Sequence, residues 1–330
     1  MTDASHTPPE PVMLREQDEK LIRACCRYQW MTVVDFWYWL GSVLGTPRSR
    51  NHVSKVVSRL AGGKDGTPGQ YLYKFALPKT TTGNALRVFV PGGATRKLLH
   101  EEEDENAFVF TTPATMQRRS YSFVRHNLAV TRLCICAALV CRDPHYSLVE
   151  TRLSSDIART PPRVSLTTDG KPISVPVIPD CWLFIERVAD GKGTALWFEV
   201  DNSTTYRQAF HRRLAARLQI ITSEAYESYF GTPAVLLCYA VLDNEDRMHT
   251  LRHWTWELLA RQEREQLAPH FRFASVEYET LYREALTLFM QPVWRLPADR
   301  SHDDPALVAL LPPPQDKEEA HGNSHTTDLS

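Results

Sequence analysis

The chain has 330 residues, enough for about two domains of about 100–200 residues each. With 43% hydrophobic, 10% aromatic and 23% charged residues it carries the apolar mass for sizeable cores, which excludes a disordered, collagen-like or low-complexity chain. A formal net charge of −1 excludes a uniformly basic or acidic protein, yet a neutral total can hide opposite local charges.

Residues 1–13 are polar and Pro-rich, with no apolar signal region, and read as a floppy leader. The longest apolar run, 133–141, is bracketed by Arg132 and Arg142 and falls short of the roughly 20 apolar residues a bilayer span requires. Seven cysteines is an odd number, and none forms a CxxC pair; they read as reduced, mostly buried small hydrophobes. A cytoplasmic location is the default expectation.

Residues 15–30 carry Leu21, Cys25 and Tyr28 at helical spacing. A second helix follows the N-cap residue Thr32 over 33–40, with Phe36, Trp37 and Trp39, and ends at Gly41. A third begins after Thr46 and Pro47, shows Val53, Val56, Val57 and Leu60 on one face, and stops at Gly62 and Gly63. Alternating runs at 71–77 and 87–91 then read as strands around a turn-rich tip at 79–84. Three helices and a hairpin over 14–100 is the order of a winged helix-turn-helix. From 46 to 97 the basic residues are Arg48, Arg50, Lys55, Arg59, Lys64, Lys74, Lys79, Arg87, Arg96 and Lys97, against the single acid Asp65, a local electrostatic footprint for phosphate. Arg48, Asn51 and Lys55 lie about one turn apart, opposite the valine face, where a recognition helix meets base edges and backbone. With Arg50 and Arg59 they are the candidate DNA contacts, and Lys79 at the hairpin tip reaches toward a neighbouring groove. The plainer alternative is a basic surface helix on a protein-docking module.

The character of the chain changes between 100 and 118, across the acidic run 101–105. Residues 118–142 read as one long helix with Phe123, Leu128, Val130, Leu133, Ile135 and Leu139 as its apolar set. His126 sits in it, either as a core or capping histidine or facing a site on the adjacent sheet. Strand-like runs follow at 146–151, 174–178, 181–185 and 194–200, then an arginine-rich helix over 207–226, a strand at 234–241, a helix at 248–263, a short strand at 271–276 and a last helix at 278–289. This is an α/β (α+β) order over 118–298, and 299–330 reads as a disordered tail. Two otherwise apolar strands are broken by acids. Asp180 opens one, and Glu199 and Asp201 close another. Glu199 and Asp201 are two apart and share a strand face. With the Asp180 strand antiparallel beside them, three carboxylates converge as candidate ligands of Mg²⁺ or Mn²⁺, which polarises a phosphate and activates water for phosphodiester cleavage. The plainer alternative is that these acids cap helices or pair with the arginines of 207–217.

The opening Leu14-Arg15-Glu16-Gln17-Asp18, the His126-Asn127-Leu128 helix, Pro179-Asp180 and the run from Glu199 to Thr204 before a basic helix resemble the replication-relaxation family of bacterial plasmid and mobile-element proteins, over roughly 14–242. That resemblance implies DNA binding in plasmid replication and control of DNA topology. The second unit is also similar to the restriction-endonuclease-like fold, whose signature is an Asp followed by Asp/Glu-x-Lys. Asp180 and Glu199 match its two acids, but Asp201 holds the lysine position. Arg213 or Arg217 replaces the missing charge, although arginine does not deprotonate and so cannot act as a general base.

Three readings follow. The first is a protein that binds double-stranded DNA through the winged helix, with the second unit as scaffold or homodimerisation body and replication proteins as further partners. The second is a metal-dependent endonuclease or nickase using Asp180, Glu199, Asp201, His126 and Arg213. The third is a transcriptional regulator or protein adaptor. No GxxxxGK[ST] loop supports ATP-driven action, and no HxH cluster supports a metal-assisted tyrosine relaxase.

Overall fold

Apolar residues at helical spacing drive the first three elements together. Helix α1 (Glu16–Tyr28) buries Leu21, Ile22 and Cys25. Helix α2 (Val33–Ser42) starts in a capping box in which the Asp35 N–H donates to the Thr32 hydroxyl and the Asp35 carboxylate accepts the Thr32 N–H. Helix α3 (Arg50–Leu60) buries Val53, Val57 and Leu60 and begins three residues beyond Pro47, because Ser49 supplies the cap by accepting the His52 N–H. Strands β1 (Leu72–Ala76) and β2 (Arg87–Pro91) pair antiparallel, Leu72 opposite Pro91. Two short helices that periodicity does not reveal, α4 (Gly93–Glu101) and α5 (Pro113–Gln117), complete this part. The computed structural model describes residues 14–46, 48–62, 71–77, 85–101, 112–168, 170–203, 205–298 and 307–312. The expected leader and most of the acidic run at 101–105 lie outside them.

The second part runs α6 (Tyr121–Val140), β3 (Tyr146–Leu153), α7 (Ser154–Ile157), β4 (Arg163–Thr168), β5 (Lys171–Pro176), β6 (Cys181–Arg187), β7 (Lys192–Asp201), α8 (Arg207–Ile221), α9 (Glu224–Phe230), β8 (Leu236–Leu242), α10 (Glu245–Arg261), β9 (Phe271–Val276) and α11 (Ala285–Met290). A five-stranded sheet has the order β3-β6-β7-β8-β9. Its first three strands are antiparallel neighbours, and β8 and β9 add parallel to β7. Strands β4 and β5 form a separate two-stranded hairpin, so the strand expected at 174–178 lies mostly in β5, outside the five-stranded sheet. The arginine-rich helix expected over 207–226 breaks at Thr222 and Ser223, which turn back hydroxyls onto the carbonyls of the preceding turn.

The protein is thus mixed α/β in three layers. The N-terminal helices and hairpin, together with α6, cover the sheet face that carries Leu183, Leu196, Phe198 and Ala240. Helices α8, α9 and α10 cover the opposite face, with Trp182, Trp197, Leu237 and Tyr239. By length and composition α6 is apolar enough to cross a membrane, but 67% of that stretch is buried within the fold, where it is the central packing helix. Residues 307–312 depart from the tail expected from 299 on. Val308 bridges to Trp294, and Leu310 and Leu311 are buried in the core, an apolar pair that finds a place to pack.

One polar junction ties the parts together. Asp35 of α2 is fully buried and accepts from Arg132 Nε of α6 at 3.2 Å and from the Tyr282 hydroxyl at 2.8 Å. Arg132 also donates to the Tyr278 carbonyl at 2.6 Å, and its guanidinium lies 3.9 Å from the Tyr278 ring centre. Those contacts satisfy the buried charges on both sides.

Candidate functional site

The register Cys181 opposite Phe198 sets Asp180, one residue before β6, across from Glu199 in β7. Asp180 sits where the sheet end opens toward both helical layers. One carboxylate oxygen meets His126 Nε2 of α6 at 3.1 Å, and the other accepts the Val200 N–H at 2.8 Å. Burial pushes the Asp180 carboxyl up, but the His126 charge and hydrogen bond and the Val200 N–H outweigh it and hold it below the usual carboxylate range. On His126, burial favours the neutral ring, but the Asp180 charge and hydrogen bond prevail and raise its pKa above the ordinary histidine value. His126 therefore faces the sheet site and is not merely a core residue.

Glu199 and Asp201 both point to the α8/α10 face, but each meets its own cation. Glu199 lies 2.5 Å from Arg217 Nη2 of α8 and accepts the Trp197 indole N–H at 2.8 Å. Both side chains of the pair are nearly buried, at 8% exposure for Arg217 and 13% for Glu199. Burial, with the Asp180 charge opposite, pushes the Glu199 carboxyl up to about 7 against the pull of Arg217. Burial works against the Arg217 charge too, but Glu199, Tyr239 and Asp180 together hold its pKa above the ordinary value. The asymmetry has a simple origin, since Arg217 is drawn to two acids whereas for Glu199 burial and the Asp180 charge outweigh the pull of Arg217 and His126. Tyr239 receives a hydrogen bond from Arg217 at 3.3 Å, and burial pushes its phenol up to about 12.

Asp201 turns instead to Arg247 at the start of α10, at 3.1 and 3.2 Å, and accepts the Ser203 N–H at 2.7 Å. The expected convergence of Asp180, Glu199 and Asp201 on one cation does not occur. Among the described residues no three His, Cys, Asp or Glu side chains gather in a way that could hold a metal ion. The physical reason is local neutralisation, because Arg217 and Arg247 occupy the carboxylates that a Mg²⁺ or Mn²⁺ would need. Arg247 is a residue that motif and spacing do not single out. Its only signal is the polar run Asp243 to Arg247 directly after an apolar strand.

Clefts on several sides reach this centre, two of them of several hundred Å³. One, of about 500 Å³, lies between the β4–β5 hairpin and α8, with Ile173, Val175 and Pro176 on one wall, Arg212 and Arg213 on the other, and Asp180 and Glu199 among its lining. The second, of about 470 Å³, is lined by His126, Asn202, Thr205 and Tyr206. Arg213 lines both. Arg213 is exposed and makes no ion pair among the described residues, unlike Arg217 one turn further on.

In the N-terminal part, Arg48, Arg50, Asn51 and Lys55 are all exposed, and none of their side chains meets a carboxylate among the described residues. Arg59 differs. It forms a 2.6 Å ion pair with Asp18, which is 2% exposed, so it clamps α3 to α1 and is not a free contact for a ligand. Lys79 lies outside the described residues. Comparison with protein-family models, with curated proteins and with solved structures finds no match to this chain.

Proposed function

We propose that this protein binds double-stranded DNA through α3, as the resemblance to replication-relaxation proteins implies, in the replication of a plasmid or mobile element. The observation that carries this reading is the exposed face of α3. Asn51 and Lys55 project opposite the buried Val53, Val57 and Leu60, Arg48 stands exposed just before the N-cap Ser49 and so off the helix face expected for it, and none of the three meets a carboxylate among the described residues. Cations left unpaired next to one another repel, and a phosphate backbone relieves that repulsion while releasing counterions. Three helices followed by the β1–β2 hairpin support a winged-helix head. The succession α6, β3, β6, β7, α8, β8, with an acid on each of two adjacent strands, supports a restriction-endonuclease-like body.

Cleavage is the weaker reading. Glu199 already has a cation in Arg217, and Asp201 stands where that fold carries lysine and is held by Arg247. That position therefore offers no general base of lysine type. We read the body as a non-cleaving one, and expect no Mg²⁺- or Mn²⁺-dependent nicking of supercoiled plasmid.

The test is a salt titration of duplex affinity. The logarithm of affinity should fall linearly with the logarithm of salt concentration. Arg48→Ala/Arg50→Ala/Lys55→Ala should reduce that slope by about 2–3, close to one for each phosphate that is no longer neutralised. A triple variant with wild-type affinity and slope removes the reading.

A further inference from the structure

We propose that the clefts on either side of Arg213 form a site for single-stranded nucleic acid, separate from α3. This rests on the reading of the protein as DNA-binding but not on the α3 contacts. Three observations meet there. The first is Tyr206, which is 85% exposed. It stands at the N-cap of α8, a position that favours Ser, Thr, Asp or Asn, and makes no side-chain cap hydrogen bond. Neither burial nor capping accounts for a large aromatic there. The second is the pair Arg212 and Arg213, both exposed on α8 and free of ion pairs among the described residues, whereas Arg207 and Arg217 on the same helix are each paired with a glutamate. The third is shape. Arg213 lines both clefts, so a basic side chain joins the aromatic cleft at Tyr206 to the cleft whose far wall is the apolar hairpin face at Ile173 and Val175.

Cations that follow a backbone, beside an aromatic face and an apolar wall, are the elements of a single-strand groove. Only an unpaired base offers its face to Tyr206, since in a duplex both faces of each base are covered by its neighbours. The acids add direction. Asp180 keeps its negative charge and repels phosphate from the centre of the sheet end, so the backbone follows the α8 side, and the bases turn to Tyr206 and the hairpin.

The experiment measures fluorescence anisotropy of labelled oligo(dT) of about 12 nucleotides, within the site sizes of such grooves, and of a labelled duplex, with the full-length chain. Wild type should bind both. Tyr206→Ala should weaken oligo(dT) binding by about tenfold or more, the effect of removing the stacking platform of one base. Arg212→Ala/Arg213→Ala should weaken it as well and flatten its salt dependence by about one or more. Both variants should keep wild-type duplex affinity and circular dichroism, as all three side chains are exposed. A wild type that does not bind oligo(dT), or a Tyr206→Ala protein that binds it as tightly as wild type, overturns the cleft assignment. Unchanged duplex binding in the α3 triple variant overturns the α3 assignment alone and leaves the cleft standing.

Discussion

Replacing Arg217 by methionine tests the account of the sheet-end site most directly. Methionine keeps the apolar stem of the side chain and removes only the guanidinium. Glu199, 13% exposed, would then face Asp180 across the strand pair with the Trp197 indole N–H still donating to it. Leaving one charge of a buried pair without its partner costs about 3–5 kcal/mol. The cost must depend on pH, and the sign follows from linkage. Glu199 in the folded wild type titrates at about 7, against an ordinary glutamate value of 4.5, so between those values the folded state holds more protons than the unfolded state and stability falls as pH rises. That shift is worth about 3 kcal/mol in the wild type. Without Arg217 the carboxyl moves higher still, and the window of falling stability extends above pH 7. Urea unfolding at pH 8 should therefore show Arg217→Met destabilised by about 1–1.5 kcal/mol more than at pH 5, because a wild-type carboxyl that titrates at about 7 has only one pH unit of ionisation to lose, about 1.4 kcal/mol. At pH 5, where Glu199 is neutral, the difference should shrink to within about 1 kcal/mol, because a neutral group needs no counter-charge. Glu199→Gln should flatten the pH dependence. An equal destabilisation at both pH values, or one under about 1 kcal/mol at pH 8, would show that solvent already neutralises this pair.

Two further outcomes are expected. Arg132→Met strands the fully buried Asp35 and should cost about 3–5 kcal/mol in urea unfolding, whereas Arg132→Met/Asp35→Asn should recover much of that stability; a double-mutant coupling below about 0.5 kcal/mol refutes the junction. By NMR titration His126 should show a pKa above 6.5 in the wild type and a lower one in Asp180→Asn, where only Glu199 and the Val200 backbone are left to oppose burial. Because the folded pKa is raised, the stability this pair contributes is complete below pH 6.5 and is lost as pH rises through the folded value. An unchanged His126 titration in Asp180→Asn would rule out the contact.

Much of the fold was legible in the residues. Helical spacing in Leu21, Cys25 and Val53, Val57 located α1 and α3, and the apolar runs located β6, β7, β8 and β9. Local chemistry moved several boundaries. Ser49 and Ser120 supply caps that start α3 and α6 later than periodicity suggests, and Thr222 with Ser223 divides α8 from α9. Helix α4 opens on Gly93, and a glycine pair reads as a turn unless packing holds it helical.

An antiparallel pairing of the Asp180 strand with the Glu199 strand was legible as a condition in the sequence, and the structure meets it. Two apolar strands joined by a short polar link favour antiparallel pairing, and the period of two then fixes which residues share a face, while the turn between them sets the register that brings Asp180 opposite Glu199. The partners of those acids were not. Arg217 is one of several arginines on α8, and Arg247 lies on another helix 46 residues beyond Asp201. Which guanidinium reaches which carboxylate depends on how α8 and α10 settle against the sheet, and that is decided by side chains distant in sequence, such as Trp197, Tyr239 and Leu251. The sequence by itself determined the main helices and strands and that Glu199 and Asp201 share a strand face, because both follow from repeats of a few residues. Only tertiary structure decided that Asp180 is met by His126, Glu199 by Arg217 and Asp201 by Arg247, that Arg59 is tied to Asp18, and that Arg212, Arg213 and Tyr206 stand open, because charge pairing is a matter of distance in space.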